Sequence, residues 1–245
     1  MICFKKKIQE VILMRRQVSL DEISDGKLYD ANDLVKADCH GCDGCSACCR
    51  GMGNSIILDP LDVYRLSEAL GKGFDELLES ALELQMVDGA ILPNLKMTGE
   101  TEVCVFLNGE GRCSIHSFRP GICRLFPLGR YYEDHGFRYF LQVHECPRTD
   151  RSKIKVKKWI QTPDLKRYEK YVTDWHYFLE DAEKLVTESL ESENPRNLNL
   201  YILQNFYRKP YDSSRDFYQQ FDQRLCEAKL LLQEMMRNDG KAKSL

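Results

Sequence analysis

Cysteine spacing is the strongest chemical signal in the sequence. Five of the 11 cysteines fall between Cys39 and Cys49, and the run Cys42-Asp-Gly-Cys45-Ser-Ala-Cys48-Cys49 places two residues between successive thiols. Two residues is the shortest spacing that lets both sulfur atoms reach one ion or cluster, and zinc ribbons and ferredoxin-type clusters use it. A third thiol at the same spacing favours a site with several ligands over a redox dithiol.

Further thiols can complete such a site. Adjacent Cys48 and Cys49 point in different directions in an ordinary backbone conformation, so one of them is expected to bridge, to bind a second metal or to pack in the interior. Four later cysteines are candidate ligands: Cys104, Cys113, Cys123 and Cys146. The turn sequence 108–111 lies between the first two, and a hairpin there would bring them close together. The spacing allows one cluster with spare ligands or two four-ligand sites, and it decides neither.

Composition and charge exclude several classes of protein. The 35 Lys and Arg against 38 Asp and Glu give a net charge of −3 and no basic footprint for nucleic acid. No apolar run approaches the roughly 18 residues of a membrane span, so we expect no membrane as a partner. The first 20 residues hold too many charges for a signal peptide. We therefore expect a cytoplasmic protein with reduced thiols, which favours metal ligands over disulfides.

The helices and strands predicted around the thiols indicate an α+β fold. Asp59-Pro60 is a typical helix start, and that helix should end at Gly71. Apolar residues at helical spacing predict a second helix over 74–85. Turn residues between apolar runs predict two β-hairpins, over 102–116 and over 128–143.

The C-terminal part is predicted to be mostly α-helical. Thr162-Pro163 repeats the cap-then-proline start, and Pro195 is expected to end the helix that follows. A short apolar segment covers 198–207, and a final helix should open at Ser213 or Ser214 and reach Met236. The aromatic residues spaced along the first of these helices are interpreted as core packing rather than as a cofactor site.

Three regions follow from this pattern. Residues 1–38 form a polar lead-in with one short amphipathic helix around Ile8–Arg16, and residues 39–150 form a small cysteine-rich metal-binding domain with short helices and β-hairpins. Residues 151–245 form a helical region that packs on it.

The ordered motifs resemble a known family. They are Cys42-x-x-Cys45-x-x-Cys48-Cys49, Cys104-Val-Phe-Leu, Gly111-Arg-Cys113-Ser-Ile-His116 and Arg119-Pro-Gly-Ile-Cys123-Arg-Leu-Phe-Pro127, over roughly residues 39–147. The series resembles the CxxCxxCC cysteine-cluster family, also called YkgJ-like, whose members are described as zinc- or iron-chelating domains. The resemblance implies a metal held by Cys42, Cys45, Cys48, Cys49, Cys104, Cys113, Cys123 and Cys146. Three histidines near these cysteines, His40, His116 and His144, are not chosen as ligands.

The sequence supports two main hypotheses for the function. The first is a cytosolic protein that holds zinc or iron through clustered thiolates. The alternative is an iron-dependent or iron–sulfur redox or modifying enzyme, for example one similar to the flagellin lysine N-methylases, a branch that resembles this domain. The chain has no glycine-rich strand-to-helix signature for S-adenosylmethionine, and we assign no catalytic residue. A metal-free thiol redox sensor is a third hypothesis. Thiolates suit zinc and iron–sulfur clusters alike, so the ligand type leaves the metal open.

Overall fold

The computed structural model describes residues 20–42, 45–188 and 193–242, and for Cys42 and residues 239–242 it describes the backbone alone. The predicted helix at Ile8–Arg16 lies outside these residues. The described strands are β1 Ser24–Tyr29, β2 Leu34–Asp38, β3 Leu82–Val87, β4 Ala90–Leu95, β5 Met97–Thr98, β6 Val103–Cys104, β7 Leu128–Glu133, β8 Gly136–Gln142 and β9 Ser152–Lys155.

Small antiparallel sheets make up the β structure. The largest has three strands in the order β1-β8-β7, and the other pairs among the described residues are β2 with β9, β3 with β4, and β5 with β6. Strands β7 and β8 form the predicted second hairpin, with Leu128 opposite Leu141 and Glu133 opposite Gly136. Part of the predicted lead-in is therefore built into sheets, because β1 and β2 pair with strands more than 100 residues later.

Helices fill most of the remaining chain, so the α+β prediction is confirmed. The described α-helices are α1 Leu20–Ile23, α2 Pro60–Leu70, α3 Phe74–Ser80, α4 Gly121–Leu125, α5 Val156–Ile160, α6 Leu165–Glu188, α7 Asn194–Ile202 and α8 Phe217–Ala242. None of the helices in the part of the chain that the structure describes is both long enough and apolar enough to cross a membrane.

Helix α2 begins and ends as predicted. The Asp59 carboxylate accepts a hydrogen bond from the Asp62 N–H at 2.9 Å, and the Asp62 carboxylate accepts one from the Asp59 N–H. This reciprocal capping box satisfies backbone donors that the first helical turn leaves free. Gly71 ends the helix in the left-handed conformation with φ of 62°.

The predicted helix over 74–85 is wrong beyond Ser80. Residues 82–87 form β3, which pairs with β4 across the two-residue turn Asp88-Gly89. Both turn residues have positive φ, which suits the tight turn of a two-residue hairpin. Leu82 and Val87 at its ends are buried, whereas Leu84 and Met86 are exposed, so the strand lacks the alternation of buried and exposed apolar residues that identifies a strand in sequence.

The first predicted hairpin is shorter than expected. Strand β6 covers only Val103–Cys104 and pairs with β5, while Leu107 makes a single antiparallel bridge to Cys113. The turn between them forms as predicted, because the Asn108 side chain accepts hydrogen bonds from the N–H groups of Glu110 and Arg112. The return segment then enters a 3-10 turn at His116–Phe118 instead of continuing as a strand.

The C-terminal helices are confirmed with corrected boundaries. Helix α6 ends at Glu188, and Pro195 lies in the first turn of α7 rather than at the end of α6. At this position the N–H that proline lacks would have no partner within the helix. Residues 203–208 continue α7 as a π-helical segment. Helix α8 begins at Phe217 and extends to Ala242, beyond the predicted end at Met236.

One large core joins the C-terminal helices to the cysteine-bearing half of the chain. Buried residues of α6–α8, such as Phe178 and Phe221, belong to the same cluster as Leu66 of α2, Leu92 of β4 and Cys104. Asn199 of α7 fixes this contact, since its side-chain oxygen accepts the Ile91 N–H at 2.6 Å and its amide donates to the Gly89 carbonyl. The division into three regions stays a prediction.

Candidate metal centre

Backbone contacts hold the CxxCxxCC run against the segment that carries Cys104. Residues Ala47–Cys49 form a single 3-10 turn in which the Cys49 N–H donates to the Ser46 carbonyl at 2.9 Å. Arg50 then makes an antiparallel bridge to Val103, next to Cys104. Two cysteine segments more than 50 residues apart in sequence are thereby fixed side by side.

Cys113 and Cys123 reach the same region by different routes. The Leu107–Cys113 bridge returns the chain towards Cys104, whose carbonyl accepts the Leu107 N–H at 2.9 Å. Cys123 lies on the short helix α4, and the Gly121 N–H at the start of that helix donates to the Asp62 carboxylate at 2.7 Å. A side chain at Gly121 is excluded, because its Cβ would lie 2.1 Å from the Tyr168 hydroxyl.

Six of the eight predicted ligands line one cavity of about 650 Å³. They are Cys45, Cys48, Cys49, Cys104, Cys113 and Cys123. Cys146 is not among the lining residues, and nothing is described for the side chain of Cys42. The six lining cysteines, Cys146 and Cys226 are free thiols. Cys39 is buried elsewhere, and Cys226 is exposed on α8.

Two adjacent lining thiols, Cys48 and Cys49, shift each other's pKa. A hydrogen bond from the Cys49 thiol lowers the pKa of Cys48 to about 7, and the Arg119 guanidinium lowers it further against the effect of burial. The same hydrogen bond, together with burial and the charge on Cys48, raises the pKa of Cys49. Cys48 is therefore the thiol of this pair that ionises first.

Burial is the main cause of a raised pKa at three further lining thiols. It raises the pKa of Cys104, Cys113 and Cys123, and the charge on Cys48 raises each of them further. For Cys123 the nearby Asp62 carboxylate adds to the effect. Four thiols with raised pKa thus surround one that is partly ionised at neutral pH.

Positive side chains flank the thiols on the cavity wall. Arg119 donates a hydrogen bond to His116 Nε2 at 2.6 Å, and both residues line the cavity with Arg112. Burial, followed by the charges of Arg119 and Arg112, lowers the pKa of His116, so its ring stays neutral. Sequence reasoning left His116 out of the site, although its position three residues after Cys113 was a usable signal.

The donor set suits a thiophilic metal such as zinc or iron. Thiolate sulfur is a preferred ligand of both zinc and iron–sulfur clusters, and the thiols here come from three separate segments. Among the side chains that the structure describes, no group of three or more His, Cys, Asp or Glu residues has the geometry to hold a metal ion.

Comparison with known proteins supports a metal-chelating domain. Residues 41–147 match the family model CxxCxxCC, described as "Putative zinc- or iron-chelating domain". No curated protein and no solved structure matches the chain significantly.

Removing the Asp62 carboxylate is expected to weaken metal binding as well as stability. Asp62→Ala leaves the Gly121 N–H without its acceptor, which costs about 1–3 kcal/mol of unfolding free energy and loosens the helix that carries Cys123. Chemical denaturation and metal competition with a chelator measure the two effects. Asp75→Ala is the matched control: Asp75 lies in the first turn of α3, is 61% exposed and pairs with Arg208. An Asp62→Ala protein with unchanged metal affinity would show that Asp62 does not position Cys123.

Proposed function

We propose that this protein binds zinc or iron through the thiols that line its cavity, since residues 41–147 match the CxxCxxCC family model, described as "Putative zinc- or iron-chelating domain". The proposed ligands are drawn from Cys45, Cys48, Cys49, Cys104, Cys113 and Cys123. Cys42 and Cys146 stay predicted ligands on the family resemblance alone. We further propose that the protein works in the cytoplasm, where its thiols remain reduced.

The observation that carries this proposal is that six thiols from separate segments of the chain line one cavity. The charge on Cys48 raises the pKa of Cys49, Cys104, Cys113 and Cys123, so all five sulfur atoms are close enough to interact.

A bound zinc or iron ion would supply the positive charge that lets several of these thiols ionise together. The thiols of Cys104, Cys113 and Cys123 release their protons to solvent as they become ligands. Arg119 favours this ionisation because its guanidinium already lowers the pKa of Cys48. Apolar neighbours such as Met52, Ile56 and Ile115 line the same cavity and limit the access of water.

An iron–sulfur cluster is a second candidate for the same site. The six lining thiols are enough for the four cysteines that such a cluster requires, as they are for a tetrahedral zinc site. Anaerobic purification followed by elemental analysis, sulfide determination and a visible spectrum distinguishes the candidates. Colourless protein with zinc and no sulfide supports a zinc site, and brown protein with labile sulfide supports a cluster.

Loss of one lining thiol is expected to lower the metal content. Cys48→Ser removes the thiol that ionises first, so bound metal should fall to half or less of the wild-type stoichiometry, as measured by elemental analysis of anaerobically purified protein. Cys226→Ser is the control, because Cys226 is exposed on α8 and does not line the cavity. Equal metal content in the two variants would remove Cys48 from the site.

Metal affinity is expected to increase with pH. Thiols whose pKa is raised are protonated near pH 7 and must lose their protons to bind, so each one that becomes a ligand changes the apparent affinity about tenfold per pH unit. Two or more such thiols predict about a hundredfold weaker binding at pH 6.5 than at pH 7.5. Chelator competition at these two pH values measures the slope, and an affinity independent of pH would contradict thiol ligation.

A further inference from the structure

The cavity is larger than a metal ion and its sulfur ligands require. Its volume of about 650 Å³ lies within the roughly 300–1,000 Å³ range of small-molecule sites. Apart from the cysteines its wall is mostly apolar, with Ile122, Leu125, Phe126 and Phe140 among the lining residues. A mostly apolar wall with a few polar groups is typical of a site for an organic ligand.

The charged side chains on this wall are mainly cationic. Arg112, Arg119 and Arg130 line the cavity, and Glu145 is the one carboxylate among the described lining residues. Arg119 interacts with the thiols, since it lowers the pKa of Cys48 and Cys113, and Arg112 also lowers that of Cys113. These two arginines therefore balance thiolate charge, and Arg130 has to be explained separately.

Arg130 is held in place by its neighbours. Its Nη2 donates to the Tyr168 hydroxyl at 3.0 Å, and its guanidinium carbon lies 5.5 Å from the centre of the Phe137 ring. None of the ion pairs among the described residues includes Arg130, which lines the cavity. A buried guanidinium without an ion-pair partner is costly, so an anion in the cavity beside Arg130 would be bound favourably.

The side chains around Arg130 leave its charge in place. Burial disfavours the charged form, but the neighbouring Tyr168, Tyr132, Tyr139 and Asp59 raise the pKa of Arg130 above its usual value. Burial in turn raises the pKa of Asp59.

We propose that the cavity binds an organic molecule with an apolar body and one carboxylate group, and that Arg130 pairs with the carboxylate. The apolar body lies against the wall formed by Phe140, Ile122 and the stacked rings of Tyr132 and His176, whose centroids are 3.6 Å apart. The inference rests on the proposed function, because the ligand shares its cavity with the thiols. It makes the metal centre one wall of a site for a small molecule.

Two matched probes test the charge requirement on the wild-type protein as purified with its metal. We expect 2-naphthoate to bind at least about tenfold more tightly than 2-naphthamide, because the two differ mainly in the carboxylate and an ionic hydrogen bond distinguishes them. Calorimetric titration measures both affinities. Equal affinities, or no binding of either probe, would overturn the proposal, and this comparison does not depend on the folding of any variant.

The Arg130→Gln variant tests the assignment of the anion partner. We expect it to bind 2-naphthoate no more tightly than 2-naphthamide and to keep the wild-type affinity for 2-naphthamide. Arg138→Gln on the adjacent strand β8 is the matched control, since Arg138 is 45% exposed and pairs with Glu133. An equal loss of 2-naphthoate binding in both variants would contradict a specific role for Arg130.

Metal content measured in the same samples distinguishes this inference from the proposed function. Protein that holds metal and does not discriminate between the probes refutes the inference alone. Protein that prefers 2-naphthoate and holds no zinc or iron refutes the proposed metal site and supports the carboxylate site.

Discussion

When several thiols that line one cavity ionise, their negative charges repel one another. This repulsion limits how many thiols in the cysteine-bearing half of the chain can be charged at the same time. Cys48 approaches ionisation at neutral pH, because Cys49 donates a hydrogen bond to it and Arg119 lies near it. The lining thiols Cys49, Cys104, Cys113 and Cys123 have raised pKa values. A bound cation would offset this repulsion among the thiols that become its ligands, so the arrangement suits metal binding.

Tyrosine hydroxyl groups of the helical C-terminal region form hydrogen bonds with the cysteine-bearing half of the chain. The Tyr171 hydroxyl of α6 accepts the Leu61 N–H at 2.9 Å, and the Tyr207 hydroxyl donates to the Leu58 carbonyl at 3.0 Å. Tyr168, on the same helix as Tyr171, packs against Gly121 and hydrogen-bonds to Arg130. The aromatic residues of α6 thus do pack in the core, and their hydroxyl groups also fix the segments that carry Cys123 and Arg130.

Sequence reasoning succeeded where the signal was local. The capping residue Asp59 and the terminating Gly71 defined α2, and the repeated two-residue spacing identified Cys45 and Cys48. It failed where tertiary contacts decide: β3 depends on pairing with β4, and β1 on pairing with β8. Arg130 carried no local signal, because its relation to the cavity arises only when the β7–β8 hairpin packs against Tyr168.

The central claim is that sulfur atoms from separate segments of the chain bind one metal centre. X-ray absorption spectroscopy of anaerobically purified protein, at the edge of whichever metal copurifies, tests it most directly. The account predicts a first coordination shell dominated by sulfur, at about 2.3 Å. A shell made only of nitrogen and oxygen, or the absence of stoichiometric zinc and iron, would contradict it.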